Sequence, residues 1–175
     1  MLTISDVPCS TLISALALGI FAAGVQGQRP SREDQHLALI GLTDVDARVI
    51  VQWDMEVTMR GGTTLSDFER SLKSAFELGL HGTGVHINET SSARVDCIVS
   101  LTYTEKANPT VLLSRTIRLF RPSIPEERLG PWIVGWSRGE TRETDRDALS
   151  GSEVGRDCAA VFGQAWRRAN RKSGW

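Results

Sequence analysis

The sequence predicts an α+β fold: a two-layer sandwich in which two helices cover one face of a mostly antiparallel sheet of four to five strands. Apolar residues recur at every second position in two long segments, as in strands with one buried face. In two other segments they recur at every third or fourth position, as on the apolar face of a helix. The chain of 175 residues suits a single domain with tails.

The composition is that of an ordinary globular protein. Basic residues number 20 and acidic residues 21, so the formal net charge is -1, and apolar residues make up 41% of the chain. This balance argues against a broad basic surface for nucleic acid and against wholesale disorder. Three cysteines are too few for a disulfide scaffold or an all-cysteine zinc site. We therefore expect no nucleic-acid partner.

An apolar, uncharged segment of 12 residues runs from Leu12 to Ala23. A helix that spans a bilayer needs about 20 apolar residues, so this segment is too short to do so. It has the length of the apolar region of a signal peptide. Small residues follow it, so we expect cleavage between Gly24 and Gln28. The first ten residues contain no Lys or Arg. A buried N-terminal helix, or an apolar plug in a flexible tail, is therefore the alternative.

These features divide the chain into a signal peptide at 1–27, a leader at 28–45 and a single α/β domain at 46–175. Cys9 precedes the apolar segment, whereas the lipidated cysteine of a bacterial lipoprotein follows it. We expect a periplasmic or secreted protein with no stable membrane span after cleavage.

The first strand of the domain is preceded by a short apolar run, Leu37 to Leu42, which predicts an edge strand at the end of the leader. From Ala47 to Thr58, apolar and polar residues alternate, which predicts a half-buried strand. Its apolar face consists of Ala47, Val49, Val51, Trp53, Met55 and Val57.

A first helix is predicted after this strand, with Trp53 and Phe76 in one core cluster. Thr64 or Ser66 can cap it, and Ser66 with Glu69 has the spacing of a capping box. Gly79 and Gly82 can end it. Its apolar stripe consists of Leu65, Phe68, Leu72, Ala75 and Phe76.

The second half of the domain predicts a short strand at 84–88, a hairpin of strands at 95–104 and 111–121, and a last strand at 132–137. The pattern of the hairpin is irregular around Leu112 and Leu113, where we expect a bulge. The charged segment from Arg138 to Asp147 predicts a solvated loop. Ser152 opens a second helix, whose basic C-terminal end is explained by the helix dipole.

A turn between the first strand and the first helix is a candidate ligand site. Its residues are Arg60, Gly61, Gly62, Thr63 and Thr64. A helix N-terminus offers free N–H groups to an anion, and a cation lies beside it. A plain strand-to-helix turn is the alternative, because the Lys-Ser or Lys-Thr of a phosphate-binding loop is absent.

Neither a catalytic constellation nor a metal site can be assigned. The histidines His36, His81 and His86 form no ligand triad by spacing, so we expect no metal and no cofactor. Asp54 and Glu56 lie on the polar face of the first strand, where solvated charges are expected rather than a general acid and base.

Cys97 and Cys158 lie on the apolar faces of a strand and a helix, so the two thiols face each other if that helix covers that strand. Cleavage of the signal peptide would remove Cys9 and leave an even pair in an oxidising compartment. The spacing of packed layers works against a bond, since bridged Cα atoms lie within about 7 Å. Two free buried thiols are the alternative.

The element order, together with the turn at Ala93 to Asp96 and the strand up to Leu101, resembles small exported bacterial envelope proteins. Examples are the lipopolysaccharide-transport accessory lipoprotein and domains of curli-secretion-like lipoproteins. This resemblance implies a non-enzymatic accessory role and a partner that is another envelope or secreted protein. The alternatives are a small-molecule or anion-binding protein that uses the turn at 60–64, and a hydrolase with an unrecognised site.

Overall fold

The computed structural model describes residues 30–53, 64–103, 110–122 and 132–171. Within these residues three helices and five strands follow one another in an order that confirms the predicted α+β sandwich. They are α1 (Arg32–Leu37), β1 (Asp44–Trp53), α2 (Leu65–His81), β2 (His86–Ile87), β3 (Arg94–Tyr103), β4 (Thr110–Pro122), β5 (Trp132–Asp145) and α3 (Gly151–Ala169).

The sheet is mixed rather than mostly antiparallel, which corrects the prediction. Its strand order is β2-β1-β3-β4-β5. β1 is parallel to both β2 and β3, whereas β3, β4 and β5 form an antiparallel meander. The parallel pairing of β1 with β3 follows from α2, which lies between them in the sequence and acts as the crossover that a parallel connection requires.

The predicted edge strand at Leu37 to Leu42 is wrong, because the chain forms α1 and a turn there. Ser31 caps α1 through a capping box with Asp34. Leu39 and Leu42 are buried in the core of the domain. An apolar run of this length has no periodicity that separates a strand from a turn packed onto a core.

The charged segment that predicted a loop is instead the second half of β5, which runs as far as Asp145. β5 is an edge strand, paired with β4 alone. Charged side chains are common on edge strands because they discourage pairing with further chains. The expected bulge is also displaced: it lies between Leu119 and Phe120, not near Leu112.

The core lies between the inner face of the sheet and the two long helices. Phe68, Phe76 and Phe162 are among its fully buried side chains. Trp53 packs against this cluster at its border, as an edge-on partner of Phe68 with ring centroids 6.1 Å apart. Trp53 and Phe76 therefore belong to one cluster, as predicted, although Trp53 is only half-buried.

Glycines let α2 and α3 approach closely. A Cβ atom at Gly155 of α3 would clash with the backbone oxygen of Leu72 and would lie 3.0 Å from the backbone nitrogen of Phe76. A Cβ atom at Gly79 of α2 would clash with the side chain of Ala159. The spacing between the two helices therefore depends on residues without side chains.

A disulfide bond joins Cys97 of β3 to Cys158 of α3, with Cα atoms 6.2 Å apart. Of the two alternatives that the sequence left open, the structure has the bonded pair. The close approach of the helical layer brings the two Cα atoms within the range that a disulfide requires.

Candidate functional site

Four of the five residues of the predicted ligand turn, 60–63, lie outside the described residues, and so do Asp54 and Glu56. The fifth, Thr64, is the N-cap of α2. Its hydroxyl accepts a hydrogen bond of 3.1 Å from the backbone N–H of Asp67, and the Asp67 carboxylate accepts one of 3.3 Å from the backbone N–H of Thr64. The capping box is therefore formed by Thr64 and Asp67, not by Ser66 and Glu69 as expected.

A cavity of about 360 Å³ opens between α1, the second half of β5 and α3. We call it the arginine pocket, after Arg32, Arg115, Arg138 and Arg168, which line it among the described residues. Glu140 is the one acidic residue of the described lining. Other polar side chains of the lining are those of Gln35, His36 and Gln164. Its apolar surface consists of Leu39, Ile117, Trp136, Val161 and Ala165.

Each rim arginine comes from a different element. Arg32 begins α1, Arg138 lies on β5 two residues after the buried Trp136, and Arg168 lies in the last turn of α3. Side chains two apart on a strand share a face, so Arg138 points to the helical side of the sheet, as Trp136 does. The helices leave this part of β5 uncovered, and this opening forms the pocket.

Hydrogen bonds from the end of α3 hold α1 against the pocket. The Asn170 side chain donates to the backbone oxygen of Leu39 over 2.8 Å and accepts from the backbone N–H of Gly41 over 2.9 Å. The Trp166 indole N–H donates to the backbone oxygen of Leu42 over 2.8 Å. These bonds tie the segment that carries Arg32 and His36 to the helix that carries Arg168.

Arg115 is buried, with 7% of its surface exposed, and its charge is compensated within the protein. Its guanidinium nitrogens lie 2.6 Å from Glu140 Oε1 and 2.8 Å from Asp157 Oδ2. A buried cation requires such partners, because removing it from water is costly. Arg115 therefore neutralises Glu140 and holds it at the pocket wall.

The other three arginines of the pocket have no such partner in the parts of the chain that the structure describes. Among the described residues, no carboxylate lies within ion-pair distance of Arg32, Arg138 or Arg168. Because arginine stays protonated at any physiological pH, the pocket carries excess positive charge. It can therefore attract an anion, and its rim can form paired N–H···O bonds to a carboxylate or phosphate.

A second cluster lies on the outer face of the sheet. The Arg94 guanidinium lies 4.6 Å from the centroid of the Phe120 ring and 5.3 Å from that of Trp132, and its Nε is 3.0 Å from Asp96 Oδ1. Asp96 is 3% exposed. Desolvation raises the pKa of its carboxyl above the usual value, an effect that the positive charges of Arg94 and Arg48 oppose.

The two tryptophans of β5, Trp132 and Trp136, lie on opposite faces of the sheet. Trp132 is 38% exposed beside Arg94, whereas Trp136 is buried and packs edge-on against Phe162 at 5.7 Å. A smaller cavity of about 280 Å³ has Asp44 and Arg121 among its lining residues. Burial there lowers the pKa of the Arg121 guanidinium.

In residues 30–53, 64–103, 110–122 and 132–171 no group of histidine, cysteine and carboxylate side chains has the arrangement of a metal site. None of the helices in those ranges combines the length and the apolar character that crossing a membrane requires.

Sequence reasoning missed the arginine pocket. Arg138, Glu140 and Arg142 alternate with smaller residues, which is the period of a strand, but their charge favoured a loop. Arg32 lies more than 100 positions before Arg138 in the sequence. No local pattern joins residues that far apart.

No protein-family model and no curated protein matches the sequence. Among solved structures, a dodecameric PelC variant from Paraburkholderia phytofirmans is similar, with 18% identity and a TM-score of 0.44 over 74% of this chain and 89% of that one. An uncharacterised protein follows, with 14% identity and a TM-score of 0.38 over 74% and 90% of the two chains.

A minor lipoprotein from Acinetobacter baumannii is also similar, with 15% identity and a TM-score of 0.32 over 67% of this chain and 87% of that one. At these identities and TM-scores, the likeness carries no conclusion about what this protein binds.

Proposed function

We propose that this chain is an exported accessory protein, periplasmic or secreted, that acts by binding rather than by catalysis. The observation that carries the proposal is the disulfide bond between Cys97 and Cys158. Such bonds persist in oxidising compartments outside the cytosol and are rare inside it. The apolar segment from Leu12 to Ala23 supports the same assignment, because it has the length of a signal-peptide core.

The arginine pocket favours binding over catalysis. The guanidinium group of arginine stays protonated and has no acceptor atom, so Arg32, Arg138 and Arg168 can hold and orient an anion but cannot act as general bases. The carboxylate of the pocket, Glu140, is engaged by Arg115 at 2.6 Å. This ion pair occupies an oxygen atom of the one carboxylate that lines the pocket among the described residues. The partner expected for such a protein is another envelope or secreted protein.

The test is the state of the protein isolated from its native host without reductant. We expect it in the exported fraction, with its N-terminus between Gly24 and Gln28 and without reactive thiols after unfolding. Mass measurement before and after reduction then reports one disulfide. An intact Met1 together with free Cys97 and Cys158 in the cytosolic fraction would overturn the proposal.

A further inference from the structure

We propose that the arginine pocket binds an organic anion with two or more negative charges, a phosphate monoester or a dicarboxylate. This inference rests on the proposed function only in that the protein acts by binding. The charges of the pocket carry it: Arg32, Arg138 and Arg168 rim one cavity and have no described carboxylate partner.

Charge sets the valence of the ligand. Three guanidinium groups around one cavity repel one another, and a single carboxylate would compensate only one of them. Arg115 does not add to this demand, because Arg115 and Arg142 together are balanced by the two carboxylates of Glu140 and Asp157. An anion of charge two or more matches the remaining excess.

The geometry of arginine sets the chemical class. The planar guanidinium presents its N–H donors in a fork that matches the oxygen atoms of a carboxylate or phosphate. Because the arginines come from α1, β5 and α3, their forks approach from separate directions. A ligand that satisfies them has several oxygen atoms on different sides, as a phosphate monoester or a dicarboxylate does.

Size and surface set the rest of the ligand. A cavity of about 360 Å³ is within the range of small-molecule sites and is far larger than a single inorganic ion. Leu39, Val161 and Ala165 supply apolar wall, while Gln35 and Gln164 offer amide groups that donate and accept hydrogen bonds. The ligand is therefore expected to carry a compact carbon skeleton beside its charged groups.

The experiment compares three probes that share one benzene ring: phenyl phosphate, phthalate and benzoate. Calorimetric titration of the full mature chain measures the dissociation constant of each. We expect at least one dianion to bind about tenfold or more tightly than benzoate, and more weakly as the salt concentration rises. Preference for phenyl phosphate over phthalate identifies a phosphate ligand, and the reverse identifies a dicarboxylate.

Substitutions locate the binding. Arg138→Gln and Arg168→Gln are each expected to raise the dissociation constant of the preferred dianion about tenfold, because each removes charge-assisted hydrogen bonds. Arg156→Gln is the matched control: Arg156 is also exposed on α3, but it does not line the pocket, so its loss should change the affinity less than about twofold. Circular dichroism and retention of the disulfide check that each variant is folded.

Three results would overturn the inference: no binding of either dianion at millimolar concentration, equal affinity for benzoate, or equal weakening by Arg156→Gln. Each leaves the proposed function untouched, because export and the disulfide are measured on the native protein. Conversely, a cytosolic, reduced protein that still binds a dianion through Arg138 and Arg168 would remove the export proposal and keep the pocket.

Discussion

Cys97 and Cys158 lie with their Cα atoms 6.2 Å apart and bond the central strand of the sheet to the last helix. Both residues are fully buried. Residues 61 positions apart are thus fixed together, which links the two layers of the sandwich covalently. The bond matters for stability as well as for the compartment in which the protein works.

Removal of this bond is expected to lower the free energy of unfolding by about 4 kcal/mol in the chain-entropy model for a loop of this length. Chemical denaturation of the mature chain with and without reductant measures the effect. The Cys97→Ala/Cys158→Ala variant serves as the control, because its unfolding curve should not respond to reductant. Identical curves for the oxidised and reduced wild type would contradict the prediction.

Truncation of the two aromatic core residues is expected to have unequal effects. Phe76 is fully buried, so Phe76→Ala should cost about 3 to 5 kcal/mol. Trp53 is half-buried at the border of the cluster, so Trp53→Ala should cost clearly less. Urea denaturation of both variants checks this order. A larger loss for Trp53→Ala would place the centre of the core near β1 rather than between α2 and the sheet.

Gly155→Ala is expected to destabilise the protein although alanine favours helices. In an isolated helix this change would gain about 1 kcal/mol, whereas here the new Cβ would clash with the backbone of α2 at Leu72. Overpacking of this kind typically costs about 1 to 3 kcal/mol. Ala160→Gly on the exposed side of α3 calibrates the helix preference alone. A stabilised Gly155→Ala variant would show that the two helices can separate without cost.

Asp96 is expected to make the free energy of unfolding depend on pH in a definite direction. Burial raises the pKa of its carboxyl in the folded protein, so the folded state takes up a proton at a higher pH than the unfolded state. The charged carboxylate therefore lowers stability above the folded pKa. This penalty is relieved as the pH falls from the raised pKa towards 3.8, the ordinary pKa of an aspartate side chain.

The measurement compares wild type with Asp96→Asn by chemical denaturation across this acidic range. The stability of the wild type relative to the variant should rise as the pH falls, because the variant has no group that titrates at this position. The effect of Asp67 on stability has the opposite sign, because hydrogen bonds with Thr64 lower the pKa of its carboxyl. The stability that Asp67 contributes is present above 3.8 and is lost as the pH falls through its lowered pKa. If the stability difference between wild type and Asp96→Asn did not change with pH, the pKa of Asp96 would be unchanged by folding.

Periodic patterns in the sequence predict the fold class, the one-sided strands β1 and β3 and the two amphipathic helices. Each of these follows from a periodicity within a single segment, such as the alternation that starts at Ala47 or the stripe from Phe68 to Phe76. Local spacing also placed Cys97 and Cys158 on facing apolar surfaces. It could not decide the bond, because the distance between the helical layer and the sheet, which leaves the two Cα atoms 6.2 Å apart, is set by tertiary packing.

Three features depend on tertiary packing and are not encoded in any local pattern. They are the direction of β1, the strand conformation of the charged end of β5 and the existence of the arginine pocket. Strand direction depends on where a crossover helix returns the chain, which no local pattern encodes. Arg138 lies on a strand because β4 offers it a partner, and it meets Arg32 and Arg168 because Asn170 ties α1 to the end of α3. Residues so distant in sequence come together only through packing, so the sequence could not predict the candidate site. The layers that form the site could be predicted, because each follows from a periodicity within one segment.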